Sequence, residues 1–275
     1  MAGTLYLVPT PIGNLNDISP RCARTLAEAD FIAAEDTRVS LKLLNHLEIK
    51  KSLVSYHEHN KAESGGKILA RLLAGETCAL VTDAGSPAIS DPGEDLVRLC
   101  AENGVTVCAI PGPCALVTAL SISGLPTGRF TFEGFLSVNK KSRQEHLTGL
   151  KDETRTMIFY EAPHKLLATL RDLADAFGED RKISLCRELT KLHEEVRRMT
   201  RGEAAAYYEE TPPRGEFVLV VAGAEEKPEA GCTFEAALEL VRARMAEGLS
   251  TKDAVKQVAK LTGFAKNLLY DAVVK

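Results

Sequence analysis

The 275-residue sequence lacks the glycine-rich motifs by which many phosphate-binding loops are recognised. It contains neither G-x-x-x-x-G-K-[ST] nor G-x-G-x-x-G, so a phosphate cradle of either type is not predicted. The seven cysteines include no C-x-x-C pair, which favours reduced intracellular thiols over a disulfide framework. Any ligand is therefore expected to be held by loops of another composition.

A long unbroken hydrophobic run is also missing. The uncharged stretch 104–128 is interrupted by Pro111, Gly112, Pro113 and Gly124, which disfavours a membrane span. No basic and apolar leader precedes the first predicted strand, so we expect no signal peptide and a cytoplasmic location. The net charge is −4, so any surface that binds nucleic acid must be a local basic patch.

The order of predicted elements indicates an α/β protein. Hydrophobic residues make up 45% of the chain and charged residues 26%, as in ordinary globular proteins. Over residues 1–124 short apolar runs alternate with amphipathic helices, which predicts a parallel sheet with helices on both faces. Over residues 125–224 strands outnumber helices, which predicts a second, mixed α+β domain. The polar segment 225–231 is predicted to be a linker.

The last segment, 229–275, is predicted to be a small helical unit. Ser250 or Thr251 caps its second helix and Gly263 ends it, a pattern that resembles a helix-turn-helix. From Arg242 to Lys275 there are seven basic and three acidic residues, a local charge of +4. This charge fits either a solvated helical cap or an arm that contacts phosphates, and the sequence leaves both open.

Two loops of glycine, proline and small polar residues follow predicted strands, at residues 81–93 and 110–115. In open α/β sheets ligands bind at the carboxyl ends of strands, where such loops lie. Small side chains let the backbone approach a ligand closely. These loops are therefore the predicted binding site.

Eight stretches together resemble one known family, the tetrapyrrole-methylase-like class III S-adenosylmethionine-dependent methyltransferases. Within it the chain resembles enzymes that methylate the ribose 2′-hydroxyl of a cytidine in 16S ribosomal RNA of the small subunit. The resemblance implies a homodimer, and two α/β domains with the cofactor cleft between them. The stretches are residues 5–15, 34–38, 55–60, 82–93, 111–115, 159–165, 187–191 and 214–217.

By position, the resemblance implies a set of contacts to S-adenosylmethionine. Where tetrapyrrole methylases carry Gly-Gly-Asp-Pro, this chain has Ala-Gly-Ser-Pro, so Ser86 replaces a carboxylate. The implied cofactor-binding residues are Pro11, Ile12, Gly13, Ala84, Gly85, Ser86, Ile89, Cys114, Ala115, Tyr160, Glu161 and Leu189.

Methyl transfer to a hydroxyl is helped by a group that removes its proton, and flanking phosphates need cations. Polar residues at strand ends are the candidates, but the sequence singles out no general base. No metal is expected, because His57 and His59 have no third ligand at a clear spacing. The candidates are Glu35, Asp36, Arg38, His57 and Asn60, with His59, Asp83 and Asp91.

Two alternatives stay open. The first is a methyltransferase of the same fold that acts on a small molecule, a tetrapyrrole. Against it stand the basic C-terminal unit, a predicted basic loop at 139–143 and the cluster 197–201, which a tetrapyrrole would not require. The second is a nucleic-acid-binding module without catalysis, which would leave the ligand-type loops of the first two domains unexplained.

Overall fold

The computed structural model describes residues 1–225 and 233–274, so Cys232 and nearly all of the predicted linker 225–231 lie outside the described residues. The chain divides into two compact units. The larger comprises Met1–Lys151 and Arg155–Ala222, and the smaller comprises Asp152–Thr154 and Gly223–Lys275. The larger unit holds both predicted α/β domains, and the boundary between them stays a prediction.

A five-stranded parallel sheet forms the N-terminal part of the larger unit, with strand order β3-β2-β4-β1-β5. This confirms the predicted β-α alternation. The strands are β1 (Thr4–Leu7), β2 (Phe31–Ala34), β3 (Ser52–Ser55), β4 (Cys78–Val81) and β5 (Thr106–Ala109). The helices are α1 (Pro20–Glu28), α2 (Thr37–His46), α3 (Lys61–Leu73), α4 (Glu94–Glu102) and α5 (Ala115–Ile122).

Helices cover both faces of this sheet, so its strands β2 and β4 are apolar and buried along their whole length. In β2, Phe31 and Ala33 enter the core on one face, while Ile32 and Ala34 enter the core on the other. All four residues are fully buried. Burial on both faces is the reason that this strand is a continuous apolar run rather than an alternating one.

A second five-stranded sheet is mixed, with order β6-β7-β10-β8-β9. Strand β7 is parallel to β6 and antiparallel to β10, which confirms the mixed α+β prediction. The strands are β6 (Phe130–Phe135), β7 (Thr156–Glu161), β8 (Lys182–Arg187), β9 (Glu195–Thr200) and β10 (Phe217–Val221). The helices are α6 (Lys140–Gly149), α7 (Pro163–Phe177) and α8 (Arg201–Glu210).

Helix α5 joins the two sheets. It follows β5 of the first sheet, but its residues Leu116 and Leu120 pack with Ile158 and Val220 of the second sheet. Helix α5 therefore begins beyond the carboxyl end of β5 and packs on the second sheet within the same compact unit.

The basic segment predicted as a loop is instead the first turn of α6. Asn139 is its N-cap, and the Asn139 side chain accepts a hydrogen bond from Ser142 N at 3.1 Å. Arg143 Nε lies 2.6 Å from Asp172 Oδ2, and both side chains are largely buried. The loop prediction is wrong because asparagine is favoured both in turns and as an N-cap.

The basic cluster 197–201 is not a free cationic surface. Arg201 is 0% exposed, and its guanidinium donates to the carbonyl oxygens of Leu173 and Arg181. Arg198 Nε donates to Ser123 O at 3.0 Å, at the carboxyl end of α5. Arg197 stacks over the ring of Tyr207. The charge of Arg201 is therefore neutralised by hydrogen bonds to buried carbonyl groups and is not available at the surface.

The smaller unit contains α9 (Phe234–Ala246), α10 (Thr251–Thr262) and α11 (Lys266–Val274). Val241, Val258 and Leu269 bring the three helices together in one core. Ser250 caps α10, and Gly263 ends it in the left-handed region at φ +74°. The predicted capped helix and glycine turn are both confirmed.

Candidate active site

A cavity of about 380 Å³ lies where the first sheet's carboxyl edge faces the second sheet. Its size falls in the range of small-molecule sites, roughly 300–1,000 Å³. The loops after β1, β4 and β5 form one wall. Residues of β6, β7, β8 and β10 and the segments beside them form the other.

Ten of the twelve predicted cofactor positions line this cavity. Pro11 and Gly13 do not, although Ile12 between them does. The ten are Ile12, Ala84, Gly85, Ser86, Ile89, Cys114, Ala115, Tyr160, Glu161 and Leu189. The structure thus brings together positions spread over 178 residues of sequence, from Ile12 to Leu189. Their role as cofactor contacts stays a prediction.

Hydrogen bonds fix the three loops of the first wall against one another. Thr10 and Gly85 exchange two backbone hydrogen bonds, N–O 2.9 and 3.0 Å, which link the loop after β1 to the loop after β4. Ser86 Oγ donates to Pro113 O at 3.0 Å, which links the loop after β4 to the loop after β5. At Gly85, φ is +85°, a conformation that favours glycine. The relative positions of the three loops in this wall are therefore fixed mainly by the backbone.

Aromatic and polar contacts fix the opposite wall. The hydroxyl oxygen of Tyr160 accepts a hydrogen bond from Leu116 N at 3.0 Å, and the ring packs edge-on to Phe135. Burial raises the pKa of Tyr160. The buried Glu161 carboxylate accepts hydrogen bonds from Ala162 N at 2.9 Å and Thr169 Oγ1 at 2.5 Å. Both side chains are therefore oriented before any ligand binds.

A charged loop after β8 brings Leu189 to the cavity. Its neighbours Glu188 and Thr190 have φ values of +51° and +67°, which are strained for residues with a Cβ. Lys191 Nζ holds the loop through ion pairs of 2.8 Å to Glu188 and to Glu216. We call these three charged residues, Glu188, Lys191 and Glu216, the lysine latch. The hydrogen bond from Lys191 is the main cause that lowers the pKa of Glu188.

Gly13 has a packing role beside this latch. A Cβ at Gly13 would stand 2.5 Å from Lys191 Cγ, so a larger residue there would displace the lysine side chain. The glycine at position 13 therefore leaves room for the Lys191 side chain of the latch.

Sequence reasoning missed several lining residues of the second sheet. Phe135 lines the cavity because it pairs with Tyr160 across the parallel strands β6 and β7. Val218 lines it because β10 pairs antiparallel with β7, opposite the same Tyr160. The signal that could have found them is strand pairing, which no local motif encodes.

The five principal catalytic candidates, Glu35, Asp36, Arg38, His57 and Asn60, do not line the cavity, and local structure accounts for three of them. Asp36 caps α2 and pairs with Arg38, Oδ2–Nη2 2.6 Å. The hydrogen bonds from Arg38 lower the pKa of Asp36 to about 2. Asn60 closes a turn, accepting from His57 N at 2.8 Å and donating to Ser55 O at 3.2 Å. The His57 ring packs edge-on to His59.

Three carboxyl groups, which we call the carboxylate cluster, lie in the segments that follow β2 and β4. They are Glu35, Asp83 and Asp91. Asp83 N donates to Glu35 Oε2 at 3.4 Å, and Asp83 Oδ1 accepts from Asp36 N at 3.1 Å. Burial raises the pKa of all three, and the neighbouring negative charges add to this effect. Of the cluster, only Asp91 lines the cavity.

Residues 1–225 and 233–274 contain no group of three or more His, Cys, Asp or Glu side chains placed to hold a metal ion. No helix in the same ranges has the length and apolar character needed to cross a membrane.

Comparisons with known proteins agree with this geometry. The family model of the tetrapyrrole (corrin/porphyrin) methylases matches residues 4–205, and that of the RsmI C-terminal HTH domain matches residues 233–275. A curated relative from Synechocystis sp., named ribosomal RNA small subunit methyltransferase I, is 49% identical over 98% of this chain and 96% of its own. One of the same name from Halalkalibacterium halodurans is 50% identical, over 98% and 94%.

Solved structures share the fold at lower identity. A cobalt precorrin-4 methyltransferase is 19% identical, with a TM-score of 0.58 over 79% of this chain and 94% of its own. A uroporphyrin-III C-methyltransferase from Thermus thermophilus, complexed with S-adenosylhomocysteine, is 19% identical, with a TM-score of 0.56 over 80% and 97%. From the family models and the near full-length relatives together, the chain belongs to the tetrapyrrole (corrin/porphyrin) methylase family.

Proposed function

We propose that this chain is an S-adenosylmethionine-dependent methyltransferase that acts on ribosomal RNA of the small subunit. The target is the ribose 2′-hydroxyl of a cytidine in 16S rRNA, and the reaction takes place in the cytoplasm. One observation carries the proposal: the cavity unites ten of the twelve positions implied by the resemblance to such enzymes. The curated relatives, similar over almost the whole chain, carry the corresponding name.

The residues present fit S-adenosylmethionine. Small residues such as Ala84, Gly85 and Ala115 let the ligand approach the backbone, and Ile12 and Leu189 offer apolar surface. A Cβ at Gly85 would stand 3.4 Å from Ile12 Cγ2, so a side chain there would narrow the space between the loops. When bound, the cofactor supplies a methyl group on a positively charged sulfur.

The chain's own residues bind the cofactor and orient it. The linked loops after β1, β4 and β5 hold one side of the ligand. Tyr160 and Glu161, already fixed by hydrogen bonds, hold the other. Pro11 and Gly13 contribute by setting the path of Ile12. Because the two walls face each other, they hold the bound cofactor between them and leave the cavity mouth for the incoming hydroxyl.

The C-terminal unit is proposed to bind RNA phosphates. Lys252, Lys256 and Lys260 repeat every four residues along α10 and are exposed, opposite the buried Val255 and Val258. Like charges at this spacing destabilise a helix by about 0.2–0.5 kcal/mol per pair, so the stripe has a cost that phosphate contact would offset. We call these three residues the lysine stripe.

The active form is proposed to be a homodimer, as the resemblance implies. Light scattering at micromolar concentration should give a mass near twice the 29.8 kDa of one chain. A mass of 29.8 kDa under these conditions would contradict the dimer.

Transfer of a tritiated methyl group tests the function. The purified protein is offered small ribosomal subunits, naked 16S rRNA and a tetrapyrrole in parallel reactions. Label in 16S rRNA, from either RNA-containing substrate, supports the proposal and shows which form is used. Label in the tetrapyrrole alone would overturn it in favour of a small-molecule methyltransferase.

A further inference from the structure

Three acidic side chains line the cavity, and their surroundings differ. Glu161 accepts hydrogen bonds from Ala162 N and Thr169 Oγ1, one at each oxygen. Glu216 Oε2 pairs with Lys191. Among the described residues, no hydrogen bond or ion pair engages the carboxyl group of Asp91. Asp91 is thus the lining carboxyl that is free to exchange a proton with a ligand.

The backbone fixes Asp91 firmly in this position. Ser90 precedes it in the left-handed region at φ +65°, and Pro92 follows it. At Gly93 a Cβ would stand 3.0 Å from Ala88 Cβ, so the loop closes tightly on itself. A strained backbone conformation of this kind persists only where the surrounding structure holds the loop in place. A side chain on such a loop is well suited to a reaction that demands fixed geometry.

The ionisable groups around Asp91 come from the sides of both sheets. Glu35 at the end of β2 and Asp83 at the end of β4 act on Asp91 from the first sheet. Tyr160 of β7 faces it from the second sheet. Arg38 of α2, the cation beside this cluster, forms its ion pair with Asp36. Asp91 therefore lies in a negative, partly dry environment.

We propose that Asp91 is the general base that takes the proton from the 2′-hydroxyl of the target ribose. This inference rests on the proposed function. As the 2′-oxygen bonds to the methyl carbon, the carbon–sulfur bond breaks and its electron pair stays on sulfur. The hydroxyl proton passes to an Asp91 carboxylate oxygen and from there to water, so charge and atoms balance.

The environment of Asp91 suits this role. Burial, followed by the charges of Glu35 and Asp83, raises the pKa of Asp91 to about 7. A base whose pKa lies near the working pH combines a large deprotonated fraction with a strong pull on the proton. Below that pH the protonated carboxyl cannot accept, so the rate should fall about tenfold per pH unit. Glu35 and Asp83 act indirectly, because their negative charges help to raise the pKa of Asp91.

The test compares Asp91→Asn with Asp95→Asn, a control in the same part of the chain. Asp95 lies in α4, outside the cavity, and pairs with Lys61 and Arg98. We expect Asp91→Asn to lower kcat roughly 10²–10⁴-fold, the usual contribution of a general base. Calorimetry should find S-adenosylhomocysteine affinity within threefold of wild type, and Asp95→Asn should keep kcat.

A second variant keeps Asp91 and alters its charge environment. Glu35→Gln removes one negative charge, so the acidic limb of the kcat–pH profile should move to lower pH while Asp91→Asn loses that limb. If Asp91→Asn keeps kcat within tenfold, or loses cofactor affinity while kcat is unchanged, the assignment is wrong and Asp91 is at most a binding residue. If wild type puts no label into RNA, the proposed function fails first, and the base role fails with it.

Discussion

The two walls of the cavity use the same kind of side chain in opposite ways. In the lysine latch, Glu188 and Glu216 share one cation, and hydrogen bonding lowers the pKa of Glu188. In the carboxylate cluster, burial and mutual repulsion raise the pKa of Asp91 to about 7. A paired carboxylate fixes a loop, whereas one held among like charges is ready to exchange a proton. The neighbours of a carboxylate, more than its residue type, decide its role.

The comparison also separates stabilising from destabilising features. The latch compensates for two strained residues, Glu188 and Thr190, and so keeps Leu189 in the cavity. In the cluster the negative charges repel one another, and no ion pair among the described residues offsets this repulsion. Functional sites commonly carry this kind of cost, and removing it stabilises the fold at the expense of activity.

The largest expected effect comes from filling the space that both walls share. Gly85→Trp places a bulky side chain against Ile12, at a position where φ is +85°. We expect S-adenosylmethionine affinity to fall by more than about 100-fold, a loss of about 2.7 kcal/mol or more. Isothermal titration calorimetry measures this.

The matched control is Gly104→Trp. Gly104 also has a positive φ, +69°, but nothing lies within 4 Å of its Cβ position. This variant should bind the cofactor like wild type. If the Gly85→Trp protein folds and binds S-adenosylmethionine with wild-type affinity, the cavity is not the cofactor site.

The second prediction concerns the stability cost of the carboxylate cluster. The pKa of Asp91 is raised in the folded protein, from 3.8 to about 7, so the fold favours its protonated form. The contribution of this carboxyl group to the free energy of unfolding is therefore complete below about pH 4 and is lost as pH rises to about 7. Asp91→Asn removes this loss, so it should stabilise the protein by about 1–2 kcal/mol at pH 8 after solvent screening.

Urea denaturation at pH 8 and pH 4.5 measures the effect. The gain from Asp91→Asn should be clearly smaller at pH 4.5, because the wild-type carboxyl is then largely protonated in the fold. An equal change at both pH values would show that packing, rather than charge, is responsible.

A third, smaller effect is expected when the lysine latch loses its cation, so that its two carboxylates are left without a partner, as in the carboxylate cluster. Lys191→Met leaves Glu188 and Glu216 without their shared cation, so the strained loop carrying Leu189 should loosen. We expect KM for S-adenosylmethionine to rise about fivefold, equivalent to about 1 kcal/mol, with kcat little changed. Lys67→Met, which breaks an exposed pair with Glu63, is the control. An unchanged KM would show that the latch does not support the cavity.

The smallest effect is expected outside the cavity. Replacing the lysine stripe of α10 by alanine should weaken small-subunit binding and flatten the slope of log K against log salt, by roughly 0.7–0.9 for each lost phosphate contact. Cofactor affinity should stay unchanged, since no residue of this unit lines the cavity in the described part of the chain. Deletion of residues 229–275 should act in the same direction. An unchanged slope would make the unit a structural cap.

Local motifs carry much of the fold and the cofactor site. The small-residue loops at 81–93 and 110–115 mark strand ends, and the Ser250 cap and Gly263 mark the ends of α10, because these features depend on neighbours in sequence. The burial of Arg201 could not be predicted, since its acceptors Leu173 and Arg181 are 28 and 20 residues away.

Long-range pairing explains the rest. Phe135 and Val218 reach the cavity only because β7 lies between β6 and β10, which no local pattern specifies. Asp91 was one of several candidate carboxyl groups in the sequence. It stands apart only once the structure shows that Asp36 is paired and Glu161 is hydrogen-bonded.

The chemical identity of the methylated nucleoside tests the central claim most directly. Small-subunit RNA is incubated with the protein and S-adenosylmethionine, digested to nucleosides and analysed by mass spectrometry. The account predicts 2′-O-methylcytidine, which the Asp91→Asn protein should form roughly 10²–10⁴-fold more slowly. A methyl group on a base, or no modified nucleoside from the wild-type protein, would contradict the account.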